Sequence, residues 1–233
     1  MKIKEAIILA GGEGTRLQGV LPGIPKCLAP VHGKPFLFYL LHHLQQQGIT
    51  SIYFALGKQA TEIKHYLETN HPDLRKFYSE ETSPLGTGGA IRKALELVSC
   101  SHLLIANGDS IFKASLENAA IFHERQNSSC TVLLRPMQDT SRYGSVELDK
   151  TGRILSFKEK QSGKAGLINA GSYLLNRQQF LEKPWPQEFS FEKDYLERFL
   201  VTDTISGYDE GAYFIDIGIP ADYEKAQSDW IHF

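Results

Sequence analysis

The chain has 233 residues, 42% hydrophobic and 22% charged, with a formal net charge of −2. That length and balance suit one large globular domain, 1–233, with a sizeable core. No long basic run is present, which argues against nucleic acid as the main partner, and no stretch approaches the roughly 20 apolar residues needed to cross a bilayer.

Residues 3–10 form a compact apolar run that stops at Gly11-Gly12, the pattern of a buried strand. Apolar spacing over 35–47 is helical, and Gly48 supplies a C-terminal stop. A strand follows over 51–56, a helix over 61–67, a short strand over 76–79 and a helix over 88–98. A second apolar run, 101–106, ends in Asn107-Gly108-Asp109. This alternation predicts a mostly parallel sheet covered by helices.

Beyond about 127 the chain is richer in strands, expected over 130–135, 144–148, 154–158 and 167–175. A helix over 192–200, a strand over 213–217 and a helix from 221 to about 230, after Pro220, complete the prediction. No Gly/Ser/Pro-rich linker or internal repeat separates the two parts. Cys27, Cys100 and Cys130 are scattered and lack CxxC spacing, which argues against a disulfide framework or a zinc site. A reduced, cytoplasmic setting is expected. The apolar run 6–10 is too short for a signal-peptide core.

The first strand leads into Leu9-Ala10-Gly11-Gly12-Glu13-Gly14-Thr15-Arg16-Leu17. Glycines let this backbone turn sharply and approach a ligand, and successive N–H groups in such a turn can cradle phosphate oxygens. Arg16 adds a permanent cation able to grip two oxygens at once. The third glycine of a dinucleotide fingerprint is missing, and Gly33-Lys34 is followed by Pro35 rather than the Ser or Thr of a Walker A loop. Pro25-Lys26 lies on the same connection, close enough to reach the same anion.

Together, Leu9 to Leu17 and Pro25-Lys26 resemble the signature of the sugar-phosphate nucleotidyltransferases, with related features along nearly the whole chain. The resemblance implies a Rossmann-like nucleotidyltransferase fold, α/β, with a mixed, mostly parallel sheet flanked by helices. It implies a nucleotide-binding part of about 1–127 and a sugar-binding part of about 128–233. The implied substrates are a nucleoside triphosphate and a sugar 1-phosphate, with Mg²⁺ as cofactor and a homo-oligomer left open. Within the family the chain is most similar to the D-glycero-D-manno-heptose 1-phosphate guanylyltransferases. Those features are shared in part with mannose 1-phosphate guanylyltransferases and N-acetylmuramate 1-phosphate uridylyltransferases. A non-catalytic nucleotide-sugar sensor is the alternative from another class. The product implied is an activated sugar for surface glycans, lipopolysaccharide or capsule.

The same resemblance assigns site residues. Arg16, Lys26, Asp109 and Lys160 are the expected catalytic residues, and Asp109 and Asp216 the expected metal ligands. Both aspartates end apolar strands, where a carboxylate can hold Mg²⁺ beside phosphate oxygens. Leu9, Ala10, Gly11, Gly12, Gly14, Thr15 and Gly108 are expected around the nucleotide. Pro84, Gly86 and Thr87 are expected against its base, and Glu80 or its neighbour Glu81 could accept hydrogen bonds from guanine. Gly144, Glu159, Lys160, Asn169 and Asp194 are expected on the sugar side, although Gln161 replaces the proline usual after the Glu-Lys pair. Ser190 also reads as a helix N-cap. His42 and His43 point to different sides of a helix and do not form a metal pair. Cys27, beside a lysine, could carry a lowered pKa, but the implied chemistry needs no covalent nucleophile and the cysteine is incidental to it.

Overall fold

The computed structural model of the chain describes every residue except 13–16, 18, 142, 144, 159–163 and 230–233. The first apolar run becomes β1 (Glu5–Ala10), and a 3₁₀ turn, Lys26–Leu28, follows the glycine-rich loop. A small ribbon of β2 (Pro30–Val31) and β3 (Lys34–Pro35) leads into α1 (Phe36–Gln46). Phe36, Leu37, Leu40, Leu41 and Leu44 bury one face of that helix, and Gly48, at φ +87°, turns the chain out of it in a conformation suited to glycine. Next come β4 (Ser51–Leu56), α2 (Ala60–Asn70), β5 (Lys76–Glu80), α3 (Gly86–Leu95) and β6 (His102–Asn107).

The remaining elements are β7 (Ser110–Phe112), α4 (Leu116–Arg125), β8 (Cys130–Met137), β9 (Ser145–Leu148), β10 (Ile154–Lys158), β11 (Gly166–Asn176) and α5 (Arg177–Leu181). A π-helical segment, Phe191–Glu197, then precedes β12 (Ile205–Asp209), β13 (Phe214–Asp216) and α6 (Pro220–Ser228). Among the described residues, nine strands form the main sheet along the path β10-β9-β11-β6-β1-β4-β5, with β8 pairing β11 and β12. β6, β1, β4 and β5 run parallel, whereas β11 is antiparallel to both β6 and β8. The sheet is therefore parallel in the first half of the chain and mixed in the second.

Alternation along β1 divides the core. Ala6 and Ile8 pack with Leu40 of α1, Ile63 of α2 and Ala119 of α4, while Ile7 packs on the other face with Ile91 of α3 and Phe180 of α5. Each large apolar side chain buried this way contributes roughly 1.5–3 kcal/mol.

Three differences from the expected elements have physical causes. The expected helix 192–200 is the π-helical Phe191–Glu197, entered from Ser190, whose side chain accepts the Lys193 N–H at 3.2 Å. Helix α4 is absent from the sequence expectation, although Leu116, Ala119, Ala120 and His123 follow i, i+3, i+4, i+7 spacing and Ser115 caps it. Small alanines and a histidine carry that stripe, so its hydrophobic signal is weak. Strand β12 is also additional: it is short, contains Gly207 and finds its place only by pairing with β8.

His123 is buried and shares a hydrogen bond with Thr131 Oγ1 at 2.7 Å. Burial, followed by the nearby His102, pushes its pKa down from 6.5 to about 4. The unfolded chain therefore takes up this proton first as pH falls. The associated stability is complete above pH 6.5 and is lost between 6.5 and about 4. In urea melts, the wild type is expected to lose about 2–3 kcal/mol more between pH 7 and 4.5 than His123→Gln. Equal losses in the two proteins would remove His123 from the acid response.

Candidate active site

The parallel strands β1, β4 and β6 all end at one cleft of about 930 Å³. Its position follows the general rule for open α/β sheets, which place ligands beyond the carboxyl ends of strands. Leu9, Ala10, Gly11 and Gly12 form one wall, and Pro84, Gly86 and Thr87 another. The absence of side chains shapes these walls. A Cβ on Gly57 would lie 2.5 Å from Gly11 O, and one on Gly108 would lie 2.9 Å from Leu9 O. The backbones thus approach one another at the strand ends and leave room above them. Gly86, at φ +69°, meets the Phe189 carbonyl in the same way, with its Cβ position 2.5 Å from that oxygen.

The charged centre lies at one side of this cleft. Pro25 precedes the 3₁₀ turn that carries Lys26, and the Lys26 ammonium pairs with Asp109. β13 pairs antiparallel with β7, setting Asp216 opposite Ser110, and Ile217 N–H donates to Asp109 O at 2.9 Å. The two aspartates are therefore brought together by a two-stranded ribbon at the edge of the cleft. Asp216 Oδ1 accepts the Gly218 N–H at 2.6 Å. An added Cβ on Gly218 would lie 2.8 Å from that oxygen and 2.9 Å from Lys26 Nζ. Burial, then the Asp109 charge, raise the Asp216 carboxyl to about 6, while Lys26 opposes that rise.

Two mutually repelling carboxylates form a hard-oxygen donor set that suits a divalent cation. No cluster of three or more His, Cys, Asp or Glu that could hold a metal occurs among the described residues. Two carboxylates leave most of a divalent cation's coordination sphere to other oxygen donors.

The other expected residues are distributed unevenly. Glu80 does not line the cleft: its carboxylate accepts from Lys64 Nζ at 2.6 Å on the far side of β5. Glu81 does line it, accepts the Leu85 N–H at 3.1 Å, and has its pKa raised by burial. Asn169 lies on β11, where its Oδ1 accepts the Gly171 N–H at 2.9 Å and its Nδ2 donates to Tyr173 at 2.8 Å. Asp194 is turned into local structure, accepting the Ser190 N–H at 2.7 Å, and does not line the cleft. Gly14, Thr15, Arg16, Gly144, Glu159 and Lys160 lie outside the described residues. Burial pushes the Cys27 thiol up to about 12, which makes it a poor nucleophile.

Several cleft residues escaped sequence reasoning, three of them polar residues at strand ends. Lys58 and Gln59 follow Gly57 at the end of β4, and Asn107 ends β6. Applying the strand-end rule to every parallel strand would have found all three. Asn107 also explains an irregularity in β11. The register against β8 shifts between Asn169 and Tyr173, and Gly171 sits there at φ +69°. A Cβ at Gly171 would lie 2.5 Å from Asn107 Nδ2, so the bulge needs glycine both for conformation and for space.

Comparison with known proteins agrees with this architecture. The chain is 39% identical over 229 residues to D-glycero-alpha-D-manno-heptose 1-phosphate guanylyltransferase of Aneurinibacillus thermoaerophilus, covering 98% of this chain and 99% of that protein. It is 38% identical over 220 residues to the protein of the same name from Campylobacter jejuni, covering 94% and 96%. The crystal structure of HddC from Yersinia pseudotuberculosis complexed with GMP-PN superposes with a TM-score of 0.88 at 34% identity, covering 98% of this chain and 100% of that one. Residues 5–232 match the nucleotidyl transferase family. With its Rossmann-like fold and near-complete coverage, the chain belongs to the nucleotidyl transferase family.

Proposed function

We propose that this enzyme transfers a guanylyl group from GTP to D-glycero-alpha-D-manno-heptose 1-phosphate, releasing pyrophosphate. The observation that carries this reading is the convergence of Lys26, Asp109 and Asp216 beside a glycine-walled cleft. The names of the two relatives with near-complete coverage, and the GMP-PN complex of the structural neighbour, support the choice of nucleotide and sugar.

An oxygen of the sugar 1-phosphate attacks the α-phosphorus of GTP, and the bond from that phosphorus to the pyrophosphate oxygen breaks. The attacking oxygen is already anionic near neutral pH, so no general base is required. The barrier lies in aligning two polyanions, a task for positioning and electrostatics. Arg16 and Lys26 neutralise charge on the departing pyrophosphate, and Lys160 aligns the attacking phosphate. Asp109 and Asp216 would hold Mg²⁺, which supplies positive charge to the phosphate oxygens when bound.

The nucleotide occupies the part formed by about 1–127, with Leu9, Ala10, Gly11, Gly12, Gly14, Thr15 and Gly108 around it and Pro84, Gly86 and Thr87 at its base. Glu81, facing the glycine wall, is better placed than Glu80 to accept from guanine N1–H and its 2-amino group. The sugar occupies the part formed by about 128–233, where Gly144, Glu159 and Asn169 meet its hydroxyls. Three cysteines without disulfides suit a reduced, cytoplasmic setting. No helix among the described residues is long and apolar enough to cross a membrane.

The test is pyrophosphate release by purified protein with Mg²⁺, each nucleoside triphosphate and a panel of sugar 1-phosphates. Release confined to GTP and the heptose 1-phosphate is the expected result. Preference for mannose 1-phosphate, or for UTP with N-acetylmuramate 1-phosphate, would correct the specificity. No release from folded protein would overturn the catalytic reading in favour of a nucleotide-sugar sensor.

A further inference from the structure

One carboxylate outside the charged centre touches both halves of the molecule. Glu192, in the π-helical segment, accepts from Thr87 Oγ1 at 2.7 Å and from Ser190 Oγ at 3.1 Å. Its other oxygen accepts from the hydroxyl of Tyr173, on β11, at a longer 3.5 Å. Tyr173 OH in turn receives the Asn169 Nδ2–H at 2.8 Å. Thr87 lines the cleft, whereas Asn169 lies on the strand assigned to the sugar. A continuous chain of hydrogen bonds thus runs Thr87–Glu192–Tyr173–Asn169, between elements distant in sequence.

The surroundings make this chain stiff. Leu85, the N-cap residue of α3, makes no side-chain cap, and the helix start is held by the segment around Phe189. Gly88 N–H donates to Phe189 O at 3.0 Å, Phe189 N–H donates to Leu85 O at 3.0 Å, and Phe191 N–H donates to Thr87 Oγ1 at 2.9 Å. Tyr173 is buried and stacks edge-on against Phe191 with ring centroids 4.9 Å apart. Burial and the neighbouring Glu192 charge push the Tyr173 pKa well above its usual value, so its hydroxyl keeps the proton it donates. The hydroxyls of Thr87, Ser190 and Tyr173 therefore hold the Glu192 carboxylate, while the aromatic contact and the backbone bonds fix the segments on either side of it.

We propose that Glu192 is a positioning residue that sets the spacing between the two substrates, by tying the nucleotide wall at Thr87 to the sugar strand at Asn169 through Tyr173. This rests on the assignment of the two substrate sides given above. The chemical logic is that in-line attack depends steeply on the separation of the two phosphates. A displacement of about 1 Å can cost on the order of 100-fold in rate. Because Glu192 reaches Thr87 directly and Asn169 only through Tyr173, its loss acts on both substrates, whereas loss of the tyrosine hydroxyl acts on one.

Steady-state pyrophosphate release, nucleotide binding and melting temperature, measured on folded variants, test this division. Glu192→Ala is expected to raise KM for both substrates and lower kcat, with kcat/KM for the sugar 1-phosphate falling about 10- to 100-fold. Tyr173→Phe is expected to raise KM for the sugar 1-phosphate alone, leaving the Kd for GTP within about twofold. Glu192→Gln keeps the shape and a hydrogen-bonding end, and its hydroxyl partners can reverse their donor roles, so it is expected to recover most of the loss. A lowered melting temperature with wild-type kinetics in Glu192→Ala would mean a structural role and overturn the proposal. So would Glu192→Gln as poor as Glu192→Ala, or Tyr173→Phe weakening GTP equally. If Glu192→Ala fails to fold, Tyr173→Phe and Glu192→Gln still decide. Absence of turnover in the wild type would overturn the functional reading instead; an active wild type with unaffected variants overturns this inference alone.

Discussion

Asp109→Asn is expected to lower turnover at least about 100-fold while leaving the fold intact. The substitution preserves shape and removes one negative charge from a site proposed to hold a divalent cation. Stability should change little, because the Lys26 ammonium, freed from its pair with Asp109, still has Asp216 beside it. Loss of the Asp109 charge also relieves the repulsion that helps to raise the Asp216 carboxyl. The checks are pyrophosphate release at saturating substrate and the melting temperature with and without Mg²⁺. A variant with wild-type turnover, or one whose melting still responds fully to Mg²⁺, would remove Asp109 from the proposed metal site.

Lys26→Ala is expected to cost at least about 100-fold in kcat/KM for GTP, for a different reason. It deletes the cation proposed to neutralise the leaving pyrophosphate. It also leaves Asp109 and Asp216 facing each other without their present counter-charge. With Asp109 proposed as a metal ligand, Lys26, which pairs with it in the wild type, would compete with a divalent cation for that carboxylate. Added Mg²⁺ should therefore raise the melting temperature more in Lys26→Ala than in wild type, and least in Asp109→Asn. Identical Mg²⁺ responses in all three proteins would argue that lysine and metal do not share these carboxylates. Lys26→Arg is expected to restore charge without full turnover, since a planar guanidinium cannot replace a compact ammonium in the space that Gly218 leaves beside it.

The two halves of the chain differ in how openly they declare themselves. For β1, β4, β5 and β6, apolar runs locate the strands to within two residues, and Gly48 marks the end of α1; the two-residue strands β2 and β3 carry no such signal. Buried parallel strands need continuous apolar sequence, so their signal is strong. α4 and β12 carry little signal, because alanines, a histidine and a glycine occupy buried positions there. The same contrast holds in the cleft. Gly11, Gly12 and Asp109 occur in motifs that directly follow strand ends, whereas Lys26 is carried by the 3₁₀ turn after Pro25. Glu80 and Glu81 are adjacent, and strand alternation leaves one on the outer surface with Lys64 and the other in the cleft. Asp194, expected on the sugar side, accepts the Ser190 N–H within its own segment.

From sequence alone came the parallel α/β core, the glycine turn and the chemical types gathered near it, because periodicity and backbone permissiveness are properties of short segments. Only the tertiary structure decided that β13 returns beside β7 to set Asp216 near Asp109, and that Gly171 opens β11 for Asn107. It also decided that Cys27 is buried into inertness and that Glu192 spans from Thr87 to Tyr173. Each of these depends on which distant surfaces share a boundary. Burial, Coulomb interaction and steric room arise at such boundaries and have no local signature along the chain.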